Sequence, residues 1–381
     1  MLSLRAVRVQ EIVFMIAASL VLAIGSPARA SNNLRLEMAE VAKKVKELLD
    51  GRGDDSIAVG QFTGPSHMSS NSGPAIAKML GEELEKVGVK VQKRANLEMK
   101  GDYLDVEDKK NKQMAALLKG RILDRSGTVI TEFERGIFGD ETLASMFGLT
   151  VQLPPSGDLK ARDKALREGF DNPKTYITST RISAGPGSPY AVEMLIKAGD
   201  QWLPRPAAPG MGDEKGFAFV PIKRQEIYAV RLINDSPYEA AVSLAIDGMN
   251  VFSFSDVRDE ITGRPKYSQW VFPPKSKGDI LGWYRTNQVS DSFMVMEYAK
   301  SAAVELQSTA PVGTITASFS AAWPKGSPPP PDEPTKPPSE FSRSADATGR
   351  GPRVETKYGP EVERNFGVVR ATVSVRYTKD Q

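Results

Sequence analysis

From Lys174 to the end of the chain, apolar and polar side chains alternate with a period of two, and this restricts the fold more than any other feature of the sequence. In GTITASFSAAW (313–323), Ile315, Ala317, Phe319, Ala321 and Trp323 share one side, and Thr314, Thr316, Ser318 and Ser320 the other. NFGVVRATVSVRYT (365–378) repeats the pattern, with Val369, Ala371, Val373, Val375 and Tyr377 against Arg370, Thr372, Ser374 and Arg376. Successive strand residues face opposite ways, so each run reads as a strand with one side on a core. TYITSTRI, YAVEMLIK, FAFVPI, EIYAVRLI, AAVSLAI, NVFSFS, WVF, DILGWY and SFMVMEY are also strand-like, divided by Gly, Pro, Asn and Asp. Many short strands without intervening helices predict an antiparallel β-sandwich over 174–381. Within it, KGSPPPPDEPTKPP and SRSADATGRGPR are dominated by proline, glycine and charge, and residues 324–360 are predicted to be a disordered insertion before the last strand rejoins the sheet.

The first part of the chain has helical spacing instead. Residues 1–30 combine a basic start at Arg5 and Arg8, a short apolar run (12–25) and Ala28-Arg29-Ala30, the pattern of a cleaved secretory signal peptide. Residues 31–50 place Leu34, Met38, Val41, Val45 and Leu48 on one helical face. GRGDD breaks that helix, and its Arg52-Gly53-Asp54 is explained by a turn. IAVGQF (57–62) reads as a buried strand. A helix over 74–87 follows, with Ser72 or Gly73 at its cap, Pro74 in its first turn and Gly88 after its last. The polar loop ahead of it could hold an anion at the helix N-terminus, although it lacks the lysine of a phosphate loop and ordinary capping accounts for it. VKVQ reads as a strand, and a polar stretch follows it. NKQMAALLK reads as a short helix, and the runs around Ser126-Gly127 as a hairpin. The overall expectation is an α+β chain: a small α/β domain over 31–155, a proline-bounded helical connector over 156–173, then the sandwich.

Asp247 stands in AAVSLAIDGMNVFSFS (240–255), where Asp-Gly lies between two apolar runs. Glycine tolerates positive φ and the Asp carboxylate can bond its own backbone, so Asp247 reads as a hairpin turn residue and not a catalytic acid. SPYAVEMLI (188–196) and SPYEAAVSL (236–244) open alike, which shared Ser-Pro turn chemistry explains without a duplication.

IAVGQF leading into AKMLGEELEKVGVKVQKRA resembles the small α/β domain of bacterial envelope proteins of the curli-secretion, flagellar-assembly lipoprotein and penicillin-binding-protein-activator type. Those relatives are commonly anchored through a lipidated cysteine, which this chain lacks. RGIFGDETLASMFGLTVQLPP, YAVRLINDSPYEAAVSLAIDGMNVFSFSD, GWYRTNQVSDSFMVMEYAKSAA and VGTITASFSAAWP are similar to segments of exported planctomycete-type proteins whose function is not established. That resemblance implies export and transfers no activity and no catalytic residues.

The available chemistry is narrow. With no cysteine and one histidine, His67, the chain has no thiolate zinc site, cysteine nucleophile or disulfide framework, and His67 lies in SHMSSNSG without a nucleophile elbow. Fifty basic residues against 47 acidic ones give no electrostatic case for nucleic acid. Two carboxylates suffice for glycoside hydrolysis, and Glu193, Glu226, Asp247, Asp256 and Glu297 are candidates. DVRDE (256–260) is sparse for a calcium loop. The aromatics Trp202, Tyr267, Trp270, Trp283 and Tyr284 near loops and strand ends are the candidate ligand-binding residues, since exposed rings stack on sugars or grip peptides, whereas Trp323 reads as core. The expectation is an exported, periplasmic or secreted, non-enzymatic envelope protein that uses no cofactor and binds an envelope protein or a cell-wall polysaccharide. The alternatives are a two-carboxylate carbohydrate-active enzyme, a sugar-binding module with Trp270 and Trp283 on one surface, and self-assembly through edge strands.

Overall fold

A computed structural model describes residues 33–70, 72–110, 112–295, 312–334 and 350–378; the signal-peptide reading of residues 1–30 lies outside them. The fold is α+β, with three sheets. Helix α1 (Asn33–Arg52) buries Leu34, Met38, Val41, Ala42, Val45 and Leu49, so its inner stripe ends on Leu49, while the expected Leu48 only packs against the edge. Strand β1 (Ser56–Thr63) leads into α2 (Gly73–Lys86), whose Ile76, Met79, Leu80 and Leu84 join the same core. Ser72 stands at the N-cap of α2, but its hydroxyl donates to the Ser145 carbonyl (3.2 Å) and its N–H donates to the Tyr103 hydroxyl (3.0 Å).

Strands β2 (Lys90–Val91), β3 (Leu97–Glu107), β4 (Met114–Asp124) and β5 (Val129–Ile137) complete a sheet ordered β2-β1-β3-β4-β5, parallel about β1 and antiparallel beyond β3. Two expectations are corrected here. The stretch read as merely polar is β3, whose Leu97, Met99 and Tyr103 point into the core at every second position. NKQMAALLK is not a helix. Its MAALL forms the start of β4, which pairs with β3 from Glu107↔Met114 to Leu97↔Asp124 and with β5 on its other edge. Two full ladders outweigh the modest helix preference of Met, Ala and Leu. The turn at 125–128 closes the expected hairpin, with the Asp124 carboxylate accepting from the Ser126 (2.8 Å) and Thr128 (3.0 Å) N–H groups. Helices α3 (Asp140–Phe147) and α4 (Leu159–Asp171) pack on the same core through Leu143, Phe147, Leu166 and Phe170, and Asp158 caps α4.

The remaining strands form two larger sheets, antiparallel but for the short pairing of Ala218–Phe219 with the last strand. One centres on Tyr190–Ala198 and Ile227–Asn234, the other on Arg364–Thr378, Val312–Pro324 and Glu239–Ile246. Both contribute to a second apolar cluster that includes Val192, Met194, Val230, Leu232, Val242, Leu244, Phe319 and Val373. TYITSTRI is a hairpin (Tyr176–Thr178 with Arg181–Ser183) and not one strand. NVFSFS is also not a strand: after Met249–Asn250 the chain turns, with Asn250 Oδ1 accepting the Phe252 N–H (2.9 Å) and the Ser253 and Ser255 hydroxyls bonding nearby carbonyls. Side chains of this type offer the backbone local partners that compete with a ladder. In both SPY stretches the serine hydroxyl donates to the tyrosine carbonyl, at 3.2 Å for Ser188 and 2.9 Å for Ser236, which is the shared turn chemistry inferred from the sequence.

Alternation in the two long strands is as expected, but its polar side is not solvated. Thr314, Thr316, Ser318, Ser320, Thr372, Ser374 and Arg376 are all buried. The segment after α3 lies over them, and the Thr372 (2.9 Å) and Ser374 (3.0 Å) hydroxyls both donate to the Leu149 carbonyl. Trp323, expected in the core, is only half-buried. The insertion at 324–360 is ordered at both ends, contrary to expectation; residues 335–349 lie outside the described residues. At one end Arg370 binds both carboxylate oxygens of Asp332, and its Nη2 donates to Glu333 Oε2 (2.6 Å), whose Oε1 accepts the Val368 N–H (2.6 Å). At the other, Arg350–Glu355 pairs with Val289–Met294.

Candidate functional site

The Asp247-Gly248 turn has the geometry its sequence demands. Its φ angles of 50° and 80° are both left-handed, and Ile246 pairs with Met249 across the two-residue loop. The turn is also deeply buried. Asp247 is 1% exposed, its Oδ1 accepts the Thr314 N–H at 2.8 Å, and its Oδ2 accepts the Tyr377 hydroxyl at 3.3 Å. Burial, helped by this carboxylate, pushes Tyr103 up to about 12 and raises Tyr228 and Tyr377 as well, so these phenols stay protonated. A Cβ on Gly248 would lie 2.9 Å from Ser72 Oγ, so the turn docks against the start of α2. Asp247 ties its hairpin to the paired long strands through Thr314 and Tyr377.

The aromatic candidates divide into three places. Trp283 is 1% exposed, edge-on to Phe254 (5.3 Å) and Phe293 (5.4 Å), and belongs to the core. Because it alternates with Tyr284 along Gly282–Thr286, it cannot share a surface with Trp270, and the expected pair of exposed tryptophans does not form. Trp202 lies on Gln201–Pro204, at the edge beside Tyr190–Ala198, away from the others. Tyr267, Trp270 and Tyr284 do come together, joined by Phe252 and Tyr358, which the sequence reading did not propose for the site. Ring centroids are 4.5 Å apart for Trp270–Tyr358, 4.6 Å for Phe252–Trp270, 5.7 Å for Trp270–Tyr284 and 6.0 Å for Tyr267–Tyr284.

Each ring is positioned by its own element. Trp270 stands on Trp270–Phe272, paired with Glu239–Ile246, and Asn250 Nδ2 donates to the Ser268 carbonyl (2.8 Å), fixing the loop before it. Tyr358 is placed by the return of the insertion, its N–H donating to the Asn287 carbonyl (3.1 Å) and its hydroxyl accepting the Leu281 N–H (3.3 Å). The alternation of RVETKY (353–358) was the available signal for this strand, masked by the surrounding proline and glycine. Tyr284 lies beneath the cluster and donates to Asn287 Oδ1 (2.9 Å). Tyr267, Trp270 and Tyr358 are half-buried. At the outer edge Glu361 accepts from Lys266 Nζ (2.8 Å) and the Tyr267 hydroxyl (3.2 Å), and Lys266 lies 5.6 Å from the Tyr267 ring centre. Burial pushes Tyr284 up to about 12 and raises Tyr267 and Tyr358 too, so all three remain hydrogen-bond donors at neutral pH.

The candidate carboxylates do not converge. Glu193 accepts from Thr180 (2.7 Å) and faces Arg231, Glu226 is bidentate with Arg205, and Asp256 pairs with Arg285 (2.6 Å). Glu297 lies outside the described residues. Asp259 of DVRDE accepts from Thr262 within its own turn, and among the described residues no three His, Cys, Asp or Glu side chains group to hold a metal ion. His67 packs edge-on to Phe170 at 5.3 Å. In the RGD tripeptide, Arg52 and Asp54 face each other at 3.6 Å in the turn after α1. Among the described residues no helix is long and apolar enough to cross a membrane. Comparison of the chain with family models, with curated proteins and with solved structures found no match.

Proposed function

We propose that this chain is an exported envelope protein that binds a cell-wall saccharide, with its two larger sheets packed as a sandwich and its contact surface formed by Tyr267, Trp270 and Tyr358. One observation carries this reading: three half-buried rings gather on a base of Phe252 and Tyr284, with Trp270 and Tyr358 4.5 Å apart and Tyr267 6.0 Å from Tyr284, and a lysine, a glutamate and a phenol hydroxyl lie along one edge. Aromatic faces offer apolar area at low entropic cost, and the charged edge supplies the few polar contacts that orient a sugar ring. The sandwich is supported by the second apolar cluster, which draws on both larger sheets. Export rests on residues 1–30 and on the resemblance to envelope proteins. Each described candidate acid other than Asp247 is held by an arginine, which favours binding over two-carboxylate hydrolysis.

The test is tryptophan fluorescence of the purified protein titrated with peptidoglycan fragments and a panel of polysaccharides. The expected result is a saturable change whose Kd rises about tenfold, or ~1.4 kcal/mol, in Tyr267→Ala and Trp270→Ala. The reading fails if no glycan produces a response, or if both variants bind as the unaltered protein does.

A further inference from the structure

The run Pro328-Pro329-Pro330-Pro331 in the insertion is fixed at both ends. Before it, the Ser327 N–H donates to the Pro324 carbonyl (3.0 Å) in a turn that Gly326 completes at a φ of 86°. At its far end the Glu333 N–H donates to the Pro330 carbonyl (2.9 Å). Arg370 holds the Asp332 and Glu333 carboxylates, and Pro334 lies against Gly157, where an added Cβ would come within 3.3 Å of it. Proline locks its own φ and pushes the residue before it to an extended ψ, so Pro328, Pro329 and Pro330, each followed by proline, are set in the polyproline II form. That helix has about three residues per turn, so successive rings face different ways. Here Pro330 is turned inward and buried, while Pro328, Pro329 and Pro331 are exposed. The chain therefore presents a stiff ridge of pyrrolidine rings that loses little conformational freedom on binding.

Ridges of this kind are recognised by aromatic-lined surfaces, against which the proline rings pack. The same molecule carries such a surface in Tyr267, Trp270 and Tyr358, half-buried on Phe252 and Tyr284. Within one chain the two stand apart. The sheet runs Trp270–Phe272, Glu239–Ile246, Val312–Pro324, Arg364–Thr378, and the ridge passes from the third of these strands to Arg370 on the fourth, with its three outer prolines left exposed. We propose that the proline ridge of one copy docks on the surface of Tyr267, Trp270 and Tyr358 of a second copy. Ridge and surface are different patches, so the contact is heterologous and joins copies head to tail, into an open chain or a closed ring. Charges beside the two patches are paired within the chain, Lys325 with Glu363 (3.3 Å), Glu333 with Arg370 (2.6 Å) and Lys266 with Glu361 (2.8 Å), so docking leaves none of these buried alone. The contact takes the surface assigned above to a saccharide, which makes a second copy and a glycan competitors for it.

The test is sedimentation equilibrium of the purified protein across a hundredfold range of concentration, where the unaltered chain is expected to gain mass as concentration rises. The double variant Pro328→Ser, Pro329→Ser removes the ridge and Trp270→Ala removes the surface, so each alone is expected to stay at the mass of one chain. Their mixture keeps one intact ridge and one intact surface, and is expected to reach twice that mass and stop there. An unaltered chain that stays at one chain mass throughout overturns the proposal, as does a variant that associates alone or a mixture that does not pair. If Trp270→Ala does not fold, an excess of a peptide with the sequence of residues 325–334 decides. It should return the unaltered chain to the mass of one chain, and an unchanged mass overturns the contact. The proline variant leaves the aromatic surface intact, which separates this contact from the saccharide reading. An unaltered chain that binds glycan but stays at one chain mass refutes the contact alone, and a self-associating chain that no glycan binds refutes the saccharide reading alone.

Discussion

Replacing Asp247 separates a surface turn from a buried joint. If the residue served only its hairpin, alanine would cost about 1 kcal/mol, the penalty for a left-handed conformation. The structure gives it more to do. Asp247→Ala strands the Thr314 N–H, bonded at 2.8 Å, and takes one partner from the Tyr377 hydroxyl, bonded at 3.3 Å, in a region where the residue is 1% exposed. The stranded donor costs about 1–3 kcal/mol, the lost hydrogen bond of Tyr377 about 1 and the backbone term about 1, so the total is about 3–5 kcal/mol. That is a large part of the ~5–15 kcal/mol that holds a domain folded. Asp247→Asn tolerates the same φ and keeps an oxygen for Thr314, so its cost is about 1 kcal/mol. Urea unfolding followed by circular dichroism should show the midpoint of Asp247→Ala falling well below that of Asp247→Asn at an unchanged slope. An alanine variant within ~1 kcal/mol of the unaltered chain would refute the reasoning.

The ends of the insertion give further outcomes. A Cβ on Gly367 would lie 2.2 Å from Glu333 Oε1, so Gly367→Ala should expel that buried carboxylate from Arg370 and cost about 3 kcal/mol in urea unfolding. Gly359→Ala meets nothing within 4 Å and should change stability by less than about 0.5 kcal/mol. The hydrogen bond from Arg370 holds the Asp332 carboxyl below its usual range, against a smaller upward push from burial. A depressed folded-state pKa contributes stability above the unfolded value of about 3.9 and loses it as pH falls through the folded value. The stability gap between the unaltered chain and Asp332→Asn should therefore be steady near neutral pH and close on acidification below about pH 3.9; a gap constant down to pH ~2 would contradict the pairing. Removing Thr372 Oγ1 in Thr372→Val should cost only about 1 kcal/mol in the same assay, because Ser374 still donates to the Leu149 carbonyl.

What the sequence determined by itself was local. The helical stripe of α1, the Pro74 start of α2, the Asp247-Gly248 hairpin and the two-residue period of 313–323 and 365–378 depend on neighbours a few positions away, and the backbone obeys them wherever the segment lies. Tertiary structure decided the rest. MAALL became a strand because β3 and β5 offered it partners on both edges. The threonine and serine side of the long strands was buried because the segment after α3 covers it and accepts its hydroxyls, something period alone cannot signal. The candidate surface was legible only in part. Sequence offered Tyr267, Trp270 and Tyr284 only as members of a wider set with Trp202 and Trp283; which face of a strand meets the core separates Trp283 from Tyr284, and Tyr358 arrives from 88 residues beyond Trp270 in the chain. A ring becomes surface or core through what packs over it, and that is a property of segments far apart in sequence.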